Sequence, residues 1–324
     1  MSNNLSDAQQ VARTLLEHHA CLILTHINPE GDAIGSMLAL ALALEAHGIT
    51  VTCYDRDGVP ENCQFLPSWE RVRRELPDDI PPLVVYVDAD RVERCGVTPD
   101  DLPGAEVFVR IDHHQGGEFA GPALVDTSAA AAGEIVFSLL PLLGAKLTPD
   151  IATCLQAAIM VDTGRFSYTN TTPSTHRIAA ELLAAGADVP TISEWTWGRT
   201  SFPAAKLLGF ALSSLQLTMD DRIVWGVLRQ QDFQAVNATP EDTEGIIDHL
   251  RSVRDAEIAA LFSEKRGVVR VSLRSNGRVD VARIARQFHG GGHTKAAGLT
   301  YEGTVEHAVC DVLRAVETAL KNEA

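Results

Sequence analysis

A chain of 324 residues with 45% apolar content is long enough for two ordinary domains and has neither a disordered nor a collagen-like composition. Its formal net charge of −16 excludes the broad cationic surface on which long nucleic acids release counterions, so any nucleic-acid partner is short and long duplex DNA is not expected. Met1 to Gln10 has no cationic stretch leading into an apolar one, and no later run approaches the ~20 apolar residues of a membrane span, so the expectation is a cytoplasmic protein that does not engage a membrane. Cys21, Cys53, Cys63, Cys95, Cys154 and Cys310 include no C-x-x-C pair, which points to reduced, mostly buried thiols.

In chain order, Ala20 to Thr25 reads as a short strand ending at His26, and Ala33 to His47 as a helix closed by Gly48. Ile49 to Tyr54, Leu83 to Val87 and Val107 to Ile111 repeat the strand pattern, each stopping at polar residues. Further helices are predicted at Ala129 to Leu143, Ile151 to Val161 and Ser174 to Ala185. Strands alternating with helices imply an α/β fold with a mostly parallel sheet, whose ligands sit beyond the carboxyl ends of the strands. After Asp188 the pattern lapses through Trp195, Trp197 and Pro203, so residues 1–190 are read as one domain and 191–214 as an interdomain linker or helix. The pattern restarts over 215–324, a smaller α/β domain: a strand from Arg222 to Leu228, a helix over Asp242 to Ser252, strands over Glu257 to Phe262 and Val268 to Arg274, and a helix over Val279 to Phe288. The active site is expected in the cleft between the two domains.

Four clusters carry the unusual spacing of acids and histidines: His26-Ile27-Asn28-Pro29-Glu30-Gly31-Asp32, Asp88-Ala89-Asp90, Asp112-His113-His114, and Asp162-Thr163-Gly164. Singly, each acid is an ordinary turn or helix-cap residue and each histidine an ordinary polar one. Together, at successive element ends, they gather carboxylates that repel one another unless cations neutralise them. Carboxylate with imidazole suits Mn²⁺, with Mg²⁺ or Co²⁺ as substitutes, and two such ions ~3.5 to 4 Å apart clamp a phosphate for in-line attack.

The triplet Asp112-His113-His114 and the order of the clusters resemble the DHH phosphoesterases. The first motif of that family, H-x-x-P-D-x-D-x-x-G-S, is similar to His26 through Ser36, with Glu30 in place of the usual Asp and its carboxylate one methylene further out. The resemblance implies that one metal takes His26, Glu30 and Asp88, and the other Asp32, Asp88, His113 and Asp162, with Asp88 bridging. It further implies that His114 binds phosphate or transfers a proton, and that Asp112 orients the histidines.

In the second domain, Gly290-Gly291-Gly292-His293 allows a backbone nest or a helix N-terminus to face an anion. The segment resembles the GGGH motif of the DHH-associated C-terminal domain, and Ser272 to Ser275 resembles the strand that presents an arginine there. Arg274, Ser275, Gly291, Gly292 and His293 are therefore the substrate-binding residues expected, with Arg274 and His293 gripping a phosphate. Nearly the whole chain resembles the nanoRNase and pAp phosphatase group, which implies hydrolysis of short oligoribonucleotides or of 3′-phosphoadenosine 5′-phosphate. Cyclic dinucleotides or their linear products are the alternative substrates. A non-catalytic nucleotide-binding protein is the alternative of another class, and a family II pyrophosphatase or a long-substrate exonuclease ranks below these. The Ala/Leu-rich helices can serve a homodimer surface as readily as a core, and core is the reading adopted.

Overall fold

The computed structural model describes residues 2–117, 119–265 and 267–322, and the chain divides into two compact units, Met1–Arg199 and Thr200–Ala324. In the first unit, β1 (Ala20–Leu24), β2 (Thr50–Tyr54), β3 (Val72–Arg73), β4 (Leu83–Val87), β5 (Val107–Asp112) and β6 (Ala123–Val125) form one sheet in the order β3-β2-β1-β4-β5-β6. Every neighbouring pair is parallel.

Alternate residues of these strands enter different cores. In β1, Cys21 and Ile23 face one side while Leu22 and Leu24 face the other, and in β4 Leu83, Val85 and Val87 oppose Val84 and Tyr86. Burial on both faces is why the strands read as unbroken apolar runs. One face carries α1 (Ser2–Leu16), α2 (Gly31–Glu45), α3 (Ala132–Leu143) and α4 (Pro149–Asp162), and the other is covered by turns between Ala89 and Leu102. Leu182 of α5 (Pro173–Ala184) and Ile192 of α6 (Val189–Ser193) join the helical side. Strand order reverses between β1 and β4, and such a reversal opens a crevice at the carboxyl ends of the two strands.

The second unit opens with α7 (Phe202–Ser213), β7 (Gln216–Thr218), β8 (Ile223–Leu228), α8 (Gln230–Val236) and α9 (Ile246–Arg251). It continues with β9 (Ile258–Lys265), β10 (Val268–Ser275), α10 (Val281–Arg286), β11 (Gly291–His293), β12 (Ala296–Glu302) and α11 (Val305–Asn322). Its sheet, β11-β12-β10-β9-β8-β7, is antiparallel except for the β8–β9 pair. Helices α10 and α11 pack on one face, and α7 and α9 on the other.

Several elements differ from the sequence expectation for local reasons. The helix predicted over Asp242 to Ser252 is interrupted by Gly245 at φ 76, which leaves a 3₁₀ turn at Pro240–Thr243 before α9. The helix predicted over Val279 to Phe288 starts later, because the Asp280 carboxylate accepts the amides of Ala282 and Arg283 and caps α10. The stretch read as a connection holds α6, a π turn at Glu194–Gly198, and α7, whose Leu207 and Ala211 are fully buried. No helix among the described residues is long and apolar enough to cross a membrane.

Helix α2 is buried from Gly31 through Ala41 and crosses α4 on small residues. A Cβ on Gly35 would lie 2.4 Å from the Cys154 carbonyl oxygen and 3.3 Å from Ala158 Cβ. Gly35→Ala is therefore expected to lower unfolding free energy by roughly 1–3 kcal/mol through overpacking, read by denaturant titration, and an unchanged midpoint would contradict the tight crossing.

Candidate metal centre

The crevice between β1 and β4 collects the charged side chains. Thr25 Oγ1 donates to Val87 O at 2.9 Å, which ties the end of β1 to the end of β4, and His26 and Asp88 follow. Asp88 stands at φ 58, a left-handed conformation that Asp tolerates and that concentrates at functional sites. β5 ends at Asp112, so His113 and His114 emerge from the same sheet edge. Asp32 lies in the first turn of α2 and Asp162 is the last residue of α4.

Three groups of potential ligand atoms result, each with its members within 4.8 Å of one another: His26, Glu30 and Asp88; Asp32, His113 and Asp162; and Asp88, His113 and His114. Asp88 divides its oxygens. Its Oδ2 is 3.5 Å from His26 Nε2, while Oδ1 is 3.4 Å from His113 Nε2 and has no hydrogen-bond donor. His26 Nε2 is also 3.3 Å from Glu30 Oε1, and His113 Nε2 is 3.3 Å from Asp162 Oδ2 and 3.8 Å from Asp32 Oδ2. Both ring orientations are set from behind, His26 Nδ1 by Ile27 O at 2.9 Å and His113 Nδ1 by Ala129 O at 3.3 Å. That leaves Nε2 of each facing the carboxylates.

Electrostatics report the crowding. Burial and the charges of Asp88 and Asp162 push the Asp32 carboxyl well above the usual carboxylate range, against the hydrogen bond from the Ala132 amide. Burial and Asp88 likewise raise Asp162 to about 7. Burial opposes the charged form of Asp88, yet the imidazoles of His113 and His26 bring it down to about 2. Burial also opposes protonation of His26 and His113, but Asp88 with Glu30 lifts the first to about 11, and Asp88 with Asp32 and Asp162 lifts the second to about 10. Acids that repel, imidazoles that need a counter-charge and an unpartnered Asp88 oxygen form a donor set that fits divalent cations.

The clusters seen in the sequence thus converge, Glu30 with its longer side chain included. Three supports carry weaker signals. Asp32 accepts the Ser36 hydroxyl at 2.8 Å and the α3 amides of Ala132 and Gly133 at 2.6 and 3.0 Å. Asn170 Nδ2 donates to Asp162 O at 3.0 Å and Ala130 O at 3.1 Å, bracing the end of α4. Asp112 Oδ1 accepts His114 Nδ1 at 2.8 Å, and its other oxygen accepts the buried Arg110. Arg110 had a period-two signal, since it shares the Asp112 face of β5.

In the second unit Arg274 and His293 fall in one row. Arg274 of β10 pairs with Ala296 of β12, which pairs with His293 of β11 at the sheet edge, so two inter-strand spacings of about 4.8 Å separate them. The glycines lie in a strand hairpin rather than at a helix N-terminus. A Cβ on Gly290 would lie 2.4 Å from Gly298 O, and Gly292 takes φ 138, so glycine permits the close pairing with β12. Gly291 is exposed with open space at its Cβ position, whereas Ser275 is buried and its hydroxyl donates to Gly277 O at 3.4 Å.

An open parallel sheet with carboxylates and imidazoles gathered at its switch point defines the class: an α/β protein with a candidate divalent-cation site. The family model for the DHH family, N-terminal domain, matches residues 20–159, and that for the DHHA1 domain matches residues 230–322. The chain belongs to the DHH family. It is 33% identical to the bifunctional oligoribonuclease and PAP phosphatase NrnA of Thermus thermophilus, over 92% of this chain and 89% of that protein. Its fold is similar to an exopolyphosphatase-related protein from Bacteroides fragilis, with a TM-score of 0.85 at 23% identity over 98% of this chain and 96% of the other. It is also similar to the exonuclease RecJ bound to manganese, with a TM-score of 0.55 at 14% identity over 96% and 93%.

With pKa values of about 11 and about 10, His26 and His113 both carry a proton near pH 7 and must lose it to coordinate. Binding of divalent cations is expected to release at least the two protons of these rings, and affinity to rise with pH toward those values. Calorimetric titrations in buffers of different ionisation heat check this, and identical heats would rule it out.

Proposed function

We propose that this protein is a manganese-dependent phosphoesterase that hydrolyses short oligoribonucleotides to mononucleotides and 3′-phosphoadenosine 5′-phosphate to AMP. The observation that carries the reading is the division of Asp88 between two donor groups, with His26 and Glu30 on one side and His113, Asp32 and Asp162 on the other. In this reading His26, Glu30 and Asp88 hold one ion and Asp32, Asp88, His113 and Asp162 hold the second. The mixture of oxygen and nitrogen donors favours Mn²⁺, with Mg²⁺ or Co²⁺ as substitutes, and the T. thermophilus relative bears both activities in its name. Such ions, when bound, neutralise phosphate charge and lower the pKa of water.

The chain supplies the rest. His114, held at Nδ1 by the Asp112 carboxylate, contacts the phosphate or passes a proton to the leaving oxygen. Arg274 and His293 bind a phosphate of the substrate, with the exposed Gly291 and Gly292 strand allowing close approach. The net charge of −16 favours a short substrate held by local cations over a long polyanion. The buried thiols suit a reducing cytoplasm.

A 5′-labelled RNA ladder running from dinucleotides to chains of a few tens of residues, with 3′-phosphoadenosine 5′-phosphate and a cyclic dinucleotide alongside, tests the activity in Mn²⁺ and in EDTA. Metal-dependent consumption of the shortest RNAs and of 3′-phosphoadenosine 5′-phosphate is expected; nucleotide binding without turnover in either condition would refute it. Arg274→Ala is expected to raise KM for phosphorylated substrates about tenfold or more, as loss of a charge-assisted hydrogen bond requires, with kcat held. An unchanged KM would remove Arg274 from the phosphate.

A further inference from the structure

Arg110 is a charged residue in a place that disfavours charge. It is 2% exposed, two positions before Asp112 on β5, and a buried guanidinium is costly unless its donors are matched. All five of its N–H groups are engaged. Nε and Nη2 donate to Asp112 Oδ2 at 3.1 and 2.6 Å, Nη2 donates also to His114 O at 3.3 Å, and Nη1 donates to Gly116 O at 2.9 Å and Gly117 O at 3.3 Å. One rigid fork therefore ties the last residue of the strand to three carbonyls of the loop that follows.

The consequence falls on His114. With Asp112 Oδ2 committed to Arg110, Oδ1 is left to accept both the His114 backbone amide at 3.1 Å and its Nδ1 at 2.8 Å. The loop is seated without slack, since a Cβ on Gly117 would lie 2.4 Å from Asp90 O and 2.9 Å from Arg110 Nη1. We propose that Arg110 is a positioning residue that fixes the orientation of the His114 ring, through Asp112 and the 113–117 loop, for turnover at the adjoining metal centre. The proposal rests on the phosphoesterase reading for its catalytic consequence and on geometry alone for its structural one. Lysine cannot substitute, because a single ammonium cannot bridge a carboxylate and three carbonyls at once.

Arg110→Lys keeps the charge and removes the fork. Expected are a fall in kcat of about 10–100-fold on 3′-phosphoadenosine 5′-phosphate with KM held, Mn²⁺ affinity in the absence of substrate unchanged within error, and faster amide hydrogen exchange across 113–117 in metal-free protein. Gly117→Ala, which lifts the loop from the guanidinium with Arg110 in place, should give the same pattern if the lysine variant does not fold. Joint loss of manganese affinity and kcat would make Arg110 a support of the metal ligands, and unchanged exchange with full kcat would leave it no role at His114; either overturns the proposal. Should the wild-type protein turn over no substrate, the phosphoesterase reading falls, while exchange and Mn²⁺ affinity still decide the positioning claim.

Discussion

The two oxygens of Asp88 answer to different partners, His26 at 3.5 Å and His113 at 3.4 Å, and the carboxylate is buried where both must be met at once. A buried anion between two imidazoles, with Asp32 and Asp162 close by, is stable only if positive charge is supplied and kept in register. The rest of the first unit serves that requirement. Thr25 joins the ends of β1 and β4, the Asp88 amide donates to Ile111 O of β5 at 2.9 Å, and the first amides of α3 donate to the Asp32 carboxylate. Reversal of strand order between β1 and β4 provides the opening in which these groups meet.

The second unit solves a different problem with different means. Its sheet is mixed, and its outermost strand is three residues long and rich in glycine. A short edge strand normally limits unwanted pairing, and here the absence of side chains at Gly290 and Gly292 also lets β11 close tightly on β12. Registration then puts Arg274 and His293 in the same row with only Ala296 between, so two donors far apart in the chain share one line across the sheet.

Much of this was legible in the amino-acid sequence, and what was not has identifiable causes. Strands β1, β4 and β5 are buried on both faces and so appear as continuous apolar runs, and the ligand residues stand where those runs stop. The resemblance grouped His26, Glu30 and Asp88 together, a grouping the structure also brings within reach. Strands β3 and β6 went unread because short edge strands have too few residues for alternation to register, whereas helices α1 and α11 went unread although their apolar residues recur at helical spacing; α7 falls in the stretch read as linker or helix. The nest or helix N-terminus expected at Gly290 to Gly292 is a strand hairpin, since glycine repeats mark backbone freedom without saying which conformation uses it. Arg110 was legible only in part: its period-two spacing placed it on the Asp112 face of β5, but the carbonyl oxygens of the 114–117 loop that complete its partners are encoded by no side-chain pattern.

The approach of α2 to α4 has a reach beyond packing. Glu30 and Asp32 sit at the start of α2, Asp162 at the end of α4, and at that same end Gly31 rests so close to Val161 that a Cβ would come within 2.5 Å of Cγ2. The gap between Asp32 and Asp162 is thus gauged by a glycine of one helix against a valine side chain of the other, within the packed crossing of the two helices. Acid spacing becomes a property of the helix crossing: a change in the apolar interior between the helices moves carboxylates that it never touches.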